Sequence, residues 1–425
     1  MGEVAAGAAA WALTVALHLV ALGAAAAALE RALPRADAGA RELLWRIVLL
    51  GSFATASLQL VAGIDPVAGT LHTLADGPLD AVVEPGEPAP VGGLSGGAPE
   101  AAASAATFPW RDAAVAVWLV LAAAGLAALA MSYATLRRRL APRTEDPDLR
   151  ALAAELAWTV GLRRVPAITR SPCAPTPLAL GVRRPEVCVP ERAVAELDDA
   201  GLRALLAHEL AHVARHDPAW ALVYAAVCRV MFWHPLAWLV RRRLLGLAEL
   251  RCDAIARGSS ADAGVALARV LVRAAEWLAD APRGLRAVHG HAMAATRSGL
   301  HTRVRALLAA QPEARGRSGL LRAGALLLCT AAPVMLPDVR PPSGAPEPAA
   351  LLAGALPAPI ATLLRDVAAL RDEVAALHES VARSPLAHDA GVLALLAQID
   401  ARLQLLVERC VHVIDQFLSP SVPVR

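Results

Sequence analysis

Four stretches of roughly twenty apolar residues, at 8–29, 43–64, 113–134 and 320–337, constrain this 425-residue chain more than any other feature. A helix of about 20 apolar residues spans the hydrocarbon layer of a bilayer. Inside lipid, only helices and closed barrels satisfy every backbone polar group. The expected architecture is therefore a mostly α, multi-pass membrane protein. The first stretch has no basic residue before it, which argues against a secretory signal. The fourth is the shortest. A fifth apolar run at 220–240 contains Arg229 and His234, and it reads as an amphipathic helix near the membrane surface or part of a core rather than a span. Hydrophobic residues make up 56% of the chain, but much of that is alanine, so stretches must be judged one by one.

Arginine sets the expected orientation, since the sequence contains no lysine. Arg31, Arg35 and Arg41 lie between the first two stretches, and Arg137, Arg138, Arg139 and Arg143 follow the third. Arg315, Arg317 and Arg322 precede or begin the fourth, whereas 65–112 carries one basic residue, Arg111. Basic flanks stay cytoplasmic. Both termini and the 65–112 loop are then external, and 135–318 is cytoplasmic, in the inner membrane of the cell. The net charge of +3 is small and its arginines are explained by topology, so no direct nucleic-acid partner is expected. The loop at 65–112, rich in Pro, Gly, Ala and Glu, reads as a disordered tether.

Within 135–318 stands His208-Glu209-Leu210-Ala211-His212, an HExxH pattern on a stretch of helical periodicity. Residues four apart share a helical face, so His208 and His212 can hold one Zn²⁺ together. Glu209 is placed to take a proton from a water activated by the metal. Asp198 and Asp199 can cap the helix, Leu202, Leu205, Leu206, Leu210 and Val213 supply its buried stripe, and His216-Asp217-Pro218 stops it. A third protein ligand is still required. Glu249 and Asp253, four apart on a later Arg-rich helix, suit a carboxylate ligand plus an acceptor for a ligand histidine's other N–H. The rival ligand is His216, but without a Gly bend a straight helix carries it a further turn away. Glu249 is favoured.

Four motifs occur in order: Pro-Leu-Ala-Leu-Gly-Val-Arg-Arg-Pro-Glu-Val-Cys-Val-Pro at 177–190, the HExxH helix with Arg215-His216-Asp217, Phe-Trp-His-Pro-Leu-Ala-Trp at 232–238, and Glu-x-x-Cys-Asp at 249–253. Together they resemble the BlaR/MecR family of membrane-embedded zinc peptidases, over about residues 110–335. The resemblance implies a gluzincin-like α+β peptidase domain between the third and fourth transmembrane helices. It implies His208, His212 and Glu249 as zinc ligands, Glu209 as general base and Asp253 as the acidic partner. It also implies a signal transducer that cleaves a cytoplasmic transcriptional repressor of winged-helix type, itself, or both. Arg297-Ser298 and Arg317-Ser318 are candidate self-cleavage points. A quality-control peptidase of the membrane and a non-catalytic scaffold are the alternatives. Around the motifs, 144–160 reads as a leading helix and 165–168 with 186–190 as short strands, one of which can serve as a substrate-binding edge. His301, Arg303 and Arg305 lie on a late amphipathic helix. One of them can serve an oxyanion, though a solvated face is the plainer reading.

The external part, 338–425, departs from the antibiotic sensors of that family, which carry a penicillin-binding domain with a Ser-x-x-Lys motif. Without lysine, acylation of that kind is not expected. Instead Ile360, Val367, Val374 and Val381 alternate with Leu363, Leu370 and Leu377 in a heptad seam, and Val392 to Phe417 make a second. A parallel coiled coil, and hence a homodimer, or an intramolecular hairpin fits equally. Cys410 sits in the second seam, where it can bridge two subunits or stay a buried thiol. Cys173, Cys188, Cys228 and Cys252 fall in the cytoplasmic part, so no disulfide framework is expected.

Overall fold

The computed structural model describes residues 2–34, 36–72, 110–258, 262–280, 297–309 and 315–340. Both heptad seams, Cys410 and most of the 65–112 loop lie outside the described residues. The chain forms two compact units, one from Met1–Thr14, Ala56–Val117 and Val334–Arg425, the other from Val15–Thr55 and Trp118–Pro333.

Helix α1 runs Gly2–Ala32. The next apolar stretch is α2 (Ala38–Arg46), a π-helical turn at Ile47–Gly51, and α3 (Ser52–Ala62). Asp37 starts α2 by accepting from the Ala40 amide at 2.7 Å. Helix α4 spans Trp110–Arg139. Strand β1 (Thr70–His72) precedes it. Four helical segments, Val4–Ala32, Ala38–Ala62, Asp112–Arg139 and Ser318–Met335, are long and apolar enough to cross a membrane. They coincide with the four stretches read from the sequence.

Between the third and fourth of these lies an α+β layer. The leading helix is shorter than its periodicity predicts. Pro147 opens α5 (Pro147–Ala157), where a missing N–H costs nothing, and the Asp146 carboxylate accepts from the Asp148 and Leu149 amides at 3.1 and 3.0 Å. Thr144–Glu145 is instead strand β2. It joins β3 (Ala167–Ser171), β4 (Leu178–Leu180) and β5 (Glu186–Pro190) in a sheet of order β2-β3-β5-β4, two strands more than expected. β3 and β5 are parallel, and β4 pairs antiparallel with β5, Ala179 opposite Val187. The β4 exit turns on Gly181 at φ +81, and its amide donates to the Tyr133 hydroxyl of α4 at 3.1 Å.

Helices α6 (Glu191–Glu196), α7 (Asp199–Ala214), α8 (Asp217–Val230), α9 (Pro235–Arg257), α10 (Ala263–Asp280), α11 (Arg297–Leu308) and α12 (Arg315–Met335) follow. Leu205, Leu206 and Leu210 of α7 are buried against Ile168, Val187 and Val189 of the sheet and Leu267 and Leu271 of α10. Each such side chain contributes about 1.5–3 kcal/mol by leaving water. The run at 220–240 is not one helix. Pro235 lacks the N–H that would continue it and holds His234 extended (φ −98, ψ 106), so α8 ends and α9 begins.

In the other unit, β1 pairs in parallel with β6 (Asp338–Arg340), and Arg340 reaches Asp65 at 2.9 Å. The segments that follow α3 and α12 therefore meet at this strand pair.

A Cβ at Gly181 would meet the Arg184 carbonyl at 2.1 Å, and the positive φ adds strain. Gly181→Ala is expected to cost more than about 1 kcal/mol, measured as lowered thermal stability in detergent.

Candidate metal centre

The core-facing leucines of α7 fix its rotation, which turns His208 and His212 together into a cavity. Their Nε2 atoms lie 3.2 Å apart. Glu249 of α9 places Oε2 at 3.6 Å from the first and Oε1 at 3.7 Å from the second. Behind each ring stands a carboxylate. His212 Nδ1 is 2.9 Å from Asp217 Oδ2. His208 Nδ1 is 3.1 Å from Asp253 Oδ1, within hydrogen-bond range though not aligned for a straight bond. With each Nδ1–H turned to its carboxylate, both Nε2 lone pairs point at one another. Bare lone pairs at that separation repel, so either a proton shared between the rings or a metal cation must lie between them. A tetrahedral ion with Zn–N bonds of 2.0–2.1 Å would set them about 3.3 Å apart. The residues therefore fit a metal ion of zinc's size, which His208, His212 and Glu249 would hold.

Arg303 of α11 completes the cradle. Its Nε and Nη2 donate to the two Asp253 oxygens at 2.7 Å each, and Nη1 lies 2.7 Å from Glu249 Oε2. It is only 5% exposed, so the solvated-face reading fails for this residue. The reason is rotation: Leu300, Arg303, Val304 and Leu307 form the inner face of α11, and His301 and Arg305 the outer one. His301 is exposed and does not line the cavity. His216 is also exposed, at φ 56 in the turn after α7, which carries it off the ligand face.

The charges explain the proton affinities. Burial works against a charged His208, but Asp253 and Glu249 outweigh it and raise its pKa to about 10. The same field favours a dication. Burial raises Glu249 less than Arg303 and the two histidines lower it, so it stays ionised. Glu209, with no such guanidinium bond, is pushed up by burial.

A second chain of charges leads away from His212. Arg215 holds Asp217 through Nε at 3.0 Å and Nη2 at 3.1 Å. Glu42 of α2, 1% exposed, accepts from Arg215 Nη2 at 2.8 Å on both oxygens and from Arg251 Nη1 at 3.0 Å. Cys252 donates to Asp217 Oδ2 at 3.3 Å. Sequence reasoning found Asp217 only as a helix stop and missed Glu42, which is 173 residues from Arg215. The acid five residues after His212 was the one available signal.

The cavity, about 320 Å³, is lined by His208, Glu209, His212, Glu249 and Arg303, by Leu178–Leu180 of β4, and by Leu129, Tyr133 and Leu136 of α4. β4 is the edge strand of its sheet, so one unpaired backbone edge borders the metal ligands. Arg297-Ser298 and Arg317-Ser318 fall in the first turns of α11 and α12, and either bond must unwind before it can lie extended.

Asp217→Asn and Asp253→Asn are each expected to weaken zinc binding about 10–100-fold, read by competition with a chromogenic chelator. Arg303→Met leaves Asp253 buried without its partner and is expected to cost about 3–5 kcal/mol in thermal unfolding.

No curated protein matches this chain. The sequence pattern of the BlaR1 peptidase M56 family matches residues 11–306, across α1 to α11 and every residue of the cradle. With four membrane-length helices and a ligand set fit for a metal, the chain belongs to the BlaR1 peptidase M56 family of membrane metallopeptidases.

Proposed function

We propose that this protein is a zinc metalloendopeptidase that cuts a protein substrate at the cytoplasmic face of the inner membrane, as a signal transducer. The carrying observation is the pair of Nε2 atoms 3.2 Å apart, closed by Glu249, with Glu209 in the same cavity. Bound zinc supplies a Lewis acid that polarises the scissile carbonyl and acidifies a water. Glu209 takes the proton of that water and returns it to the leaving amine. Burial raises its carboxyl pKa toward the range where it can do both. The free edge of β4 offers backbone groups on which a peptide can lie as an added strand, with Leu178 and Leu180 at the cavity wall.

The basic flanks support the sidedness. Arg137, Arg138 and Arg139 end α4, and Arg322 lies near the start of α12, on the side that carries the metal residues. Family membership supports a transcriptional repressor, the chain itself, or both as substrate. Arg303, already bonded to Asp253 and Glu249, acts here by holding those carboxylates in place rather than as an oxyanion donor.

Glu209→Gln is expected to abolish proteolysis while zinc content stays near one ion per chain. Comparing protein fragments in cells that carry wild type or this variant identifies the substrate, and unchanged cleavage would overturn the assignment of Glu209.

A further inference from the structure

The run at 220–240 was expected at the membrane surface or in a core, and its packing argues for something else. Helix α9 runs beside α1 in the same direction. His234 hydrogen-bonds the backbone of Ala16, Leu236 comes within 3.0 Å of where a Cβ on Gly23 would sit, and Arg243 Nη2 meets Glu30 at 2.5 Å. The C-terminal end of α8 lies beside α4. The Trp118 indole donates to the Val230 carbonyl at 2.8 Å, and Arg229 would meet a Cβ on Gly125 at 3.3 Å. At 1.5 Å per residue, Ala16 lies about 21 Å along α1 from Glu30, and Trp118 about 28 Å along α4 from Arg137. Two independent rulers thus put the α8–α9 turn past the middle of a hydrocarbon layer about 30 Å thick.

Surface chemistry agrees. From Asp217 to Val240 the exposed residues are Val223, Phe232, Trp233, Pro235 and Leu239, all apolar. The next exposed ones, Arg242 and Arg243, are charged, and Arg243 marks the level of Glu30. Helix α10 shows the contrast: its exposed valines, Val265 and Val272, are interspersed with Arg269, Arg273 and Glu276, as on any wetted face. Four carbonyls around the turn find partners within the protein. The carbonyls of Val230, Met231, Phe232 and His234 accept from Trp118, the His234 amide, Trp238 and the Ala237 amide. Backbone that enters lipid requires such internal partners. The hairpin's cations do not face outward: Arg229 stacks 5.7 Å from the Trp238 ring centroid, and Arg241 lines the metal cavity.

We propose that α8 and α9 form a re-entrant hairpin whose tip, Met231 to Pro235, is seated among lipid acyl chains, with its surface contact made by Phe232, Trp233 and Leu239. The inference rests on α1 and α4 crossing the bilayer, as proposed above.

The test is photolabelling of the full chain in liposomes with a carbene-generating diazirine lipid, the probe carried at the acyl terminus, followed by peptide mapping. Labelling of 231–239 is expected at the level of α4 and several-fold above 262–280. Labelling of 231–239 no higher than 262–280, with α4 well labelled, would overturn the hairpin alone. Contact of this tip with a second copy of the chain, seen as chemical cross-links between 231–239 peptides and low lipid labelling, would also overturn it. An unlabelled α4 would instead remove the membrane-spanning reading on which the proposal stands.

Discussion

Two aspartates acting through two rings set the chemistry of this molecule. Asp217 and Asp253 hold the Nδ1 sides of His212 and His208, and this turns both Nε2 lone pairs inward at 3.2 Å. Without those carboxylates each ring could take the other tautomer, and the two Nε2 atoms would no longer be set to share one cation. The remaining groups serve that arrangement. Arg303 keeps Asp253 and Glu249 ionised and in place, and Arg215 does the same for Asp217.

Such a cluster is a poor source of stability. Desolvating ions is expensive, and their mutual attraction roughly returns what burial takes. The framework comes from elsewhere: the leucines of α7 against β3, β5 and α10, and Trp277 with its indole bonded to Glu196 at 2.9 Å. The ion network decides where the carboxylates point, and the apolar core decides that the fold exists. Glu42 shows how far the network extends, since a residue of a membrane-length helix reaches the ring of His212 through Arg215 and Asp217.

Local rules made the helical parts legible. Apolar length located the four long helices, and i,i+4 spacing put His208 beside His212 and Glu249 beside Asp253 on their helices. Whether α9 would approach α7 at all was beyond spacing; family motifs carried that step. The failures have one cause. β2 and β4 are two and three residues long, too short for any alternation to register, and they exist because β3 and β5 are there to pair with. Arg303 and Glu42 acquire their roles only through partners 50 or more positions away. Arg303 is also a residue whose neighbours on the same helix, His301 and Arg305, face water, so composition could not single it out.

The distance along the chain from His208 to Arg303 has a biosynthetic meaning. A nascent polypeptide that has emerged only as far as α9 already owns both imidazoles and Glu249. It lacks the guanidinium that holds the carboxylates, because α11 is still to be translated. The site is thus complete only after α11 has left the ribosome, and an incomplete chain carries the motif without the assembled blade.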